Sequence, residues 1–315
     1  MDAEQPHLFE LPLAKARADP EALLVVVGPT ASGKTALAVR MAEALDGEIV
    51  SADSIQIYRH FDVGSGKPTA EEQRRAPHHL IDIQDPLDPI DAARFVALAD
   101  RAIADIRARG RRPIVCGGTF LWVRALLHGL APSPAADDRV RALHRAFVLE
   151  SGRQALHERL RTVDPRSAAR LHPNDVVRVS RALEVFELTG STLYERQASH
   201  GFRPQRHRAH LFAIRVSANG LTERITNRVD AWLAGGWLDE GARLLQAGYG
   251  TSRAMASVGY RQIAMHLAGE LPREDLREAI VRATRVFARR QRTWLNHVEV
   301  DHLGRDSTSE LCDRS

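Results

Sequence analysis

The chain has 315 residues, 44% of them hydrophobic, with 44 basic and 40 acidic side chains and a formal net charge of +4. That composition is globular, with length for one large or two modest domains. No apolar run approaches the roughly 20 residues of a membrane span, and the first twenty residues lack a signal peptide's apolar core. Two cysteines, Cys116 and Cys312, are too few for a disulfide framework or a Cys-based zinc site, which favours a reducing, cytoplasmic setting. Cys116 lies in an apolar run and reads as packing.

Residues 1–20 read as a loose polar leader. Strand, turn and helix follow: the β-branched run 23–27, then Gly28-Pro29-Thr30-Ala31-Ser32-Gly33-Lys34-Thr35, then helical spacing over 34–45. The eight residues satisfy the phosphate-binding loop pattern in full. Backbone N–H groups and the positive end of a helix dipole are aimed at an anion. Lys34 adds a point charge, and the Thr35 hydroxyl is placed for Mg²⁺. A second strand is predicted over 48–52. The loop-rich stretch that follows carries Gly64, Gly66, Pro68, Pro77, Pro86 and Pro89, and the His78-His79 pair reads as loop. A helix over 91–109 leads to a third strand over 112–116 and then to Gly117-Gly118-Thr119.

Strands alternating with helices predict an α/β fold around a parallel sheet. The pattern changes at Pro132-Ser-Pro134: residues 136–200 are helical in period with no convincing strand, and 210–216 resumes a strand. Helices follow over 221–234, 237–247, 258–268 and 273–295. The predicted organisation is a leader (1–20), an α/β core (21–132 plus 209–304), an all-helical insert (133–208) and a tail (305–315).

Lysine occurs only at 15, 34 and 67, which leaves 41 arginines. Fifteen of them, against seven acidic residues, fall between Arg139 and Arg215; six, against one glutamate, fall between Arg277 and Arg292. Such clusters suit a polyanionic partner or a solvated helical surface.

Asp53, at the end of the second strand, shares the carboxyl rim with the phosphate loop. It suits a general base, a Mg²⁺ ligand or a turn cap. Ser54 and Gln56 follow, the latter with an amide able to read a base edge. Thr119 can bind a pyrophosphate oxygen or cap a helix. Arg224 and Arg228, four apart, share one helix face, and one of them could clamp a pyrophosphate or form a surface salt bridge. Trp294 among Arg289, Arg290 and Arg292 suits stacking on nucleic acid or burial in its helix.

These pieces, in order from about residue 22 to 297, resemble the bacterial tRNA dimethylallyltransferases, also called tRNA isopentenyltransferases. The matching segments are the phosphate loop, Ser51-Ala-Asp-Ser-Ile-Gln-Ile-Tyr58, Pro77-His-His-Leu-Ile-Asp-Ile-Gln-Asp-Pro86 and Gly117-Gly118-Thr119. They continue with Ala125-Leu-Leu-His-Gly129, His172-Pro-Asn-Asp175, Arg181-Ala-Leu-Glu184, Val258-Gly-Tyr-Arg-Gln262 and Arg290-Gln-Arg-Thr-Trp294. The resemblance implies a P-loop NTPase-like core with a tRNA-binding helical insert, working as a cytoplasmic monomer with Mg²⁺. It implies transfer of a dimethylallyl group from dimethylallyl pyrophosphate to the exocyclic amine of the adenosine at position 37 of tRNA, just 3′ of the anticodon. The tRNAs would be those reading codons that begin with U. Asp53 would be the general base, with Thr119 and Arg228 on the pyrophosphate. The tRNA anticodon stem-loop would meet Asp53, Ser54, Ile55, Gln56 and Thr119, and, in the insert, Arg141, Arg178, Ser180 and Arg181. It would also meet Ala256, Ser257, Val258, Gly259, Tyr260 and Arg261, and Arg289, Arg290, Gln291, Arg292, Thr293 and Trp294.

The chain departs from the family pattern in three places. Gly64-Ser-Gly-Lys-Pro68 replaces the commoner Gly-Thr-Ala-Lys-Pro, Trp122 replaces a tyrosine, and Val177 sits in a stretch often polar. A P-loop small-molecule kinase would use the same loop, with Asp53 on Mg²⁺, but leaves the basic insert unexplained.

Overall fold

Five apolar residues with no polar face can only form a strand covered on both sides, and Leu23–Val27 is buried throughout. The computed structural model describes residues 7–201, 205–296 and 298–304. Its elements run α1 (His7–Ala18), β1 (Leu23–Val27), α2 (Lys34–Leu45), β2 (Gly47–Ser51), α3 (Ala70–Arg75), β3 (His78–His79), α4 (Ala92–Ala108), β4 (Arg112–Gly117) and α5 (Phe120–His128). Helices α6 (Asp138–Val163), α7 (Pro165–Ala168), α8 (Val176–Thr189) and α9 (Leu193–His200) follow. The chain then returns through β5 (Ala209–Ile214), α10 (Ala218–Ala234), α11 (Trp237–Gln246), α12 (Tyr260–Leu267), α13 (Arg273–Leu295) and β6 (Asp301–Leu303).

Among the described residues the strands form one parallel sheet in the order β3-β2-β4-β1-β5-β6. β1 is central, pairing Val27 with Gly117 on one side and Ala213 on the other. Strand order therefore reverses at β1, and the loop that leaves it opens into the crevice where α/β sheets bind ligands. Alternate residues of β1 divide two cores. Leu23, Val25 and Val27 pack with Phe95, Ile103 and Leu126 on one face; Leu24 and Val26 pack with Leu37, Met41 and Phe212 on the other.

Two expectations are corrected here. The predicted loose leader contains α1: Ala16 is buried with the second core, Arg40 lies 4.7 Å over the Phe9 ring, and Lys15 bonds Asp301 at 2.6 Å. Pro12 inside the helix hides its period in the sequence. The His78-His79 pair is an edge strand, with Ile49 in register with His78, rather than loop. His79 Nε2 lies 2.6 Å from the buried Glu48 carboxylate.

The chain divides into two compact units. One comprises residues through Leu127 together with those from His207 onward; the other is His128–Arg206. The second has its own core of Leu156, Leu160, Ala168, Val179, Ala182 and Leu183. Its helix α6 is broken at Gly152, which adopts φ 85°. Glu184 is the electrostatic centre of this unit, its side chain wholly buried. It accepts from Arg141 Nε (2.9 Å), Arg181 Nη1 (2.5 Å) and the Asp137 amide (2.7 Å). Burial raises the Glu184 pKa, but these donors outweigh it and hold the carboxyl below its ordinary value.

A depressed carboxyl stabilises the fold above its unfolded pKa, near 4.3 for glutamate, and that stability is lost as pH falls through the folded value. Glu184→Gln should destabilise the protein by on the order of 3 kcal/mol at pH 7, because two guanidinium groups lose their partner. The gap between wild type and variant should close as pH falls below about 4. Urea unfolding of both proteins across that range is the measurement; a gap independent of pH would show that Glu184 is held by shape rather than charge.

Candidate active site

Gly28 and Gly33 shape the phosphate loop. A Cβ on Gly28 would lie 2.7 Å from Ser32 Oγ, and Gly33 adopts φ 92°, a conformation that favours glycine. The loop delivers Lys34 to the start of α2, where its only hydrogen-bond acceptor among the described residues is the Pro29 carbonyl, at 3.5 Å. Burial lowers the Lys34 pKa, against the attraction of Cys116 and Asp53, and Arg228 lowers it further. Arg228 Nη1 lies 3.5 Å from Thr30 Oγ1 and its guanidinium 5.4 Å over the Trp232 ring; burial lowers its pKa too. Arg224 Nη1 reaches the Ser32 carbonyl at 3.4 Å. Among the described residues none of these three cations has a carboxylate within ion-pair distance. Three cations around a ring of backbone amides, one of them short of acceptors, make an anion site.

Asp53 follows β2 and sits in an Asx turn. Its Oδ1 accepts from the amides of Ile55 (2.9 Å) and Gln56 (3.3 Å), and its Oδ2 accepts no bond among the described residues. Thr119 is beside it: the Ser54 amide donates to Thr119 Oγ1 at 3.0 Å, and that hydroxyl donates to Ser54 Oγ at 3.2 Å. The sheet thus brings the phosphate loop, Asp53, Ser54, Thr119 and Arg228 to one rim. Cys116, beneath it, is buried, which pushes its thiol up to about 12 and leaves it inert.

The donor chemistry of the rim fits Mg²⁺. The Thr35 hydroxyl, at the start of α2, makes no hydrogen bond to the described residues. No group of three His, Cys, Asp or Glu stands ready as a metal cage among those residues. Few protein ligands suit an ion that keeps water and phosphate oxygens in its shell.

Other expected contacts turn inward. Ser180, expected to face the tRNA, is buried, its Oγ 2.8 Å from His144 Nδ1. Tyr260, expected to face it too, is wholly buried, donating to Glu240 Oε1 at 2.5 Å and accepting from the Gly64 amide at 3.1 Å. Gln291 is buried as well: its Oε1 accepts from the Thr30 amide and its Nε2 donates to the Gly118 carbonyl, both at 2.9 Å. Arg141 and Arg181 hold Glu184, and Arg178 pairs with Asp175. Trp294 is half-buried and stacks on Phe120, with centroids 4.2 Å apart.

Arg289, Arg290, Arg292, Thr293, Ala256 and Arg261 are exposed, while Ser257 and Val258 are half-buried and Gly259 buried. Val177 is 81% exposed, and Trp122 is buried in a stack on Phe95.

The role of Lys67 becomes clear in the structure. Its ammonium bonds the Tyr58 carbonyl (2.9 Å), Asp62 (2.7 Å) and Asp82, pinning the 62–67 loop. Glu240 accepts from the Asp62 and Val63 amides at 3.0 and 2.9 Å, and the Gly66 carbonyl accepts from Gln56 Nε2 at 2.7 Å. Sequence reasoning missed Glu240 and Trp237. The signal was the pair Gly64 and Gly259, where a Cβ would lie 1.9 and 2.2 Å from the Trp237 ring.

Residues 56–298 match the model of the IPP transferase family. The chain is 61% identical to a tRNA dimethylallyltransferase of Sorangium cellulosum over 90% of both chains. It is 50% identical to tRNA dimethylallyltransferase 1 of Pelobacter propionicus over 87% of this chain and 89% of that one. Among solved structures it is similar to the tRNA isopentenylpyrophosphate transferase of Bacillus halodurans, with a TM-score of 0.66, 36% identity, and coverage of 91% of this chain and 92% of that one. It is also similar to a eukaryotic dimethylallyltransferase acting on tRNA, with a TM-score of 0.72, 25% identity, and coverage of 91% and 75%. The chain therefore belongs to the IPP transferase family.

Proposed function

We propose that this chain transfers a dimethylallyl group from dimethylallyl pyrophosphate to the exocyclic amine of the adenosine just 3′ of the anticodon in tRNA. It releases pyrophosphate and acts as a cytoplasmic monomer. The observation that carries this reading is the rim itself: three cations with no carboxylate partner among the described residues around the phosphate loop, beside a carboxylate with one oxygen unbonded among them. The names of the relatives, at up to 61% identity among those compared, favour prenyl transfer over the kinase reading.

The amine of adenine is a weak nucleophile, so its lone pair attacks the allylic carbon usefully only if its proton is accepted as the C–N bond forms. Asp53 Oδ2 is the acceptor. As the C–O bond breaks, its electron pair passes to the pyrophosphate. The loop amides, Lys34, Thr119 and Arg228 stabilise that growing charge without reorganising. Thr35 would hold Mg²⁺, which would supply further charge neutralisation. Trp232, under the Arg228 guanidinium, and the Phe120–Trp294 stack offer apolar surface to shield allylic cation character from water. The target base must leave its stack to reach this rim.

Labelled dimethylallyl pyrophosphate and, separately, labelled ATP, each incubated with unmodified anticodon stem-loop, should give transfer of the prenyl label alone; stoichiometric ATP hydrolysis would favour the kinase. Asp53→Asn should lower turnover by about 10²–10⁴-fold with tRNA binding little changed. A near-normal rate would remove Asp53 from the role of base.

Arg228→Ala should slow turnover more than Arg224→Ala, since Arg228 is the more buried of the two and reaches Thr30, whereas Arg224 is exposed. Single-turnover rates of the two variants decide the assignment, and equal losses would undo it.

RNA attraction in the insert is carried by arginines not engaged with carboxylates. Arg166 and Arg170 fit, both exposed and lying 4.9 and 4.7 Å over the Tyr194 ring. Replacing them by alanine should flatten the salt dependence of tRNA binding by roughly 0.7–0.9 log units per tenfold salt for each phosphate no longer neutralised. Arg141→Ala should instead act mainly on stability. An unchanged slope in the Arg166→Ala/Arg170→Ala protein would move the RNA surface elsewhere.

A further inference from the structure

The walls of the proposed pyrophosphate site come from distant parts of the chain. One is the phosphate loop, where Thr30 Oγ1 meets Arg228; the other is the turn after β4, where Gly118 precedes Thr119. Among the described residues neither wall bonds the other directly through the Thr30 or Gly118 backbone. Gln291, 261 residues after Thr30 and 173 after Gly118, spans them with a single amide. Its carbonyl oxygen takes the Thr30 N–H and its NH₂ gives to the Gly118 carbonyl, each at 2.9 Å. A neutral carboxamide presents one acceptor and one donor side by side on a planar group, whatever the pH. Gly118 makes room for it, since a Cβ there would lie 2.6 Å from Gln291 Nε2. The side chain is 6% exposed, so water does not replace its bonds.

We propose that Gln291 is a positioning residue for the leaving group. By fixing the gap between the phosphate loop and the β4 turn, it sets where Arg228 and Thr119 stand relative to the pyrophosphate. It also occupies the Thr30 N–H, so that amide serves the scaffold while the amides further along the loop serve the anion. This inference rests on the prenyl-transfer reading above and deepens it. It moves Gln291 from the RNA surface, where the exposed Arg289, Arg290 and Arg292 remain, to the chemistry of the donor.

The test compares full-length wild type, Gln291→Met and Gln291→Glu, with inorganic pyrophosphate and Mg²⁺ as the calorimetric probe and steady-state kinetics alongside. Methionine keeps the volume and loses both bonds. It should weaken pyrophosphate binding by roughly tenfold, raise KM for dimethylallyl pyrophosphate and lower kcat, with affinity for anticodon stem-loop RNA within about twofold of wild type.

Ionised glutamate sets a second acceptor against the Gly118 carbonyl and a charge beside the anion, so at pH 8 Gln291→Glu should bind more weakly than Gln291→Met. Protonated, it again offers one donor and one acceptor, and burial raises its pKa. At pH 6 it should therefore overtake Gln291→Met, both measured relative to wild type at the same pH. Wild-type-like binding by Gln291→Met, or no recovery of Gln291→Glu at pH 6, would overturn the inference. If wild type binds no pyrophosphate, the reading of the site itself fails; if wild type binds and the variants match it, only the role of Gln291 does.

Discussion

The rim depends on the close approach of two strand ends. β2 and β4 continue to bond beyond their last residues: the Ala52 amide donates to the Cys116 carbonyl at 2.8 Å, and the Thr119 amide returns to the Ala52 carbonyl at 3.2 Å. A Cβ on Gly117 would stand 2.2 Å from the Ala52 oxygen, so any other residue there would force the strands apart. Because they touch, Ser54 leaves one strand within a hydrogen bond of the Thr119 hydroxyl that leaves the other, with Asp53 next to it in the chain. The proposed base and leaving-group donor are thus placed by backbone, the least adjustable part of the chain, rather than by long side chains.

Arginine serves two purposes in this protein, and the carboxylates within reach decide between them. In the 128–206 unit, Arg141 and Arg181 are drawn onto a buried glutamate and hold helices α6 and α8 together. At the phosphate loop, Arg224 and Arg228 have no such partner among the described residues, and burial outweighs the attraction of Asp53 and Cys116 for Lys34 and of Glu72 for Arg228, lowering both pKa values. Leaving a buried cation unpaired is costly in the free protein. In the proposed reaction that cost would be recovered when a pyrophosphate arrives, and the interaction would grow more favourable as charge builds on the departing oxygen, which is the condition for accelerating a reaction rather than merely binding substrate.

The parts legible in the sequence were those whose signal is local. The β1–loop–α2 unit declares itself by a pattern and a period, and Asp53 and Thr119 by their places at strand ends. What was not legible depends on partners far off in the chain. Helical spacing shows that Gln291 and Arg290 lie on different faces of α13, but not that one face meets a glycine turn 173 residues earlier. Tyr260 sits in a segment that carries the family resemblance and Ser180 just before another, yet such a segment also marks what braces a site. In both residues a polar group is satisfied inside the protein, by His144 and by Glu240 with Gly64. Helix α1 escaped for the opposite reason, since a proline and weak amphipathicity mask a segment held by tertiary contacts.

The loop departure Gly64-Ser-Gly-Lys-Pro68 shows how these braces constrain sequence. Gly64 is fixed by Trp237, whose ring leaves no room for a Cβ. Lys67 is fixed by the three oxygens it satisfies. Ser65 donates only to the Asp62 carbonyl within the loop, so that position tolerates exchange with threonine. Position 66 adopts φ 63° with Trp232 3.1 Å from a would-be Cβ, which favours glycine over the commoner alanine. Its carbonyl is the acceptor for Gln56, so the backbone at 66 orients the amide expected to meet the target base. If Gln56 meets the target base as proposed, the loop would contribute to base selection through the direction of this carbonyl.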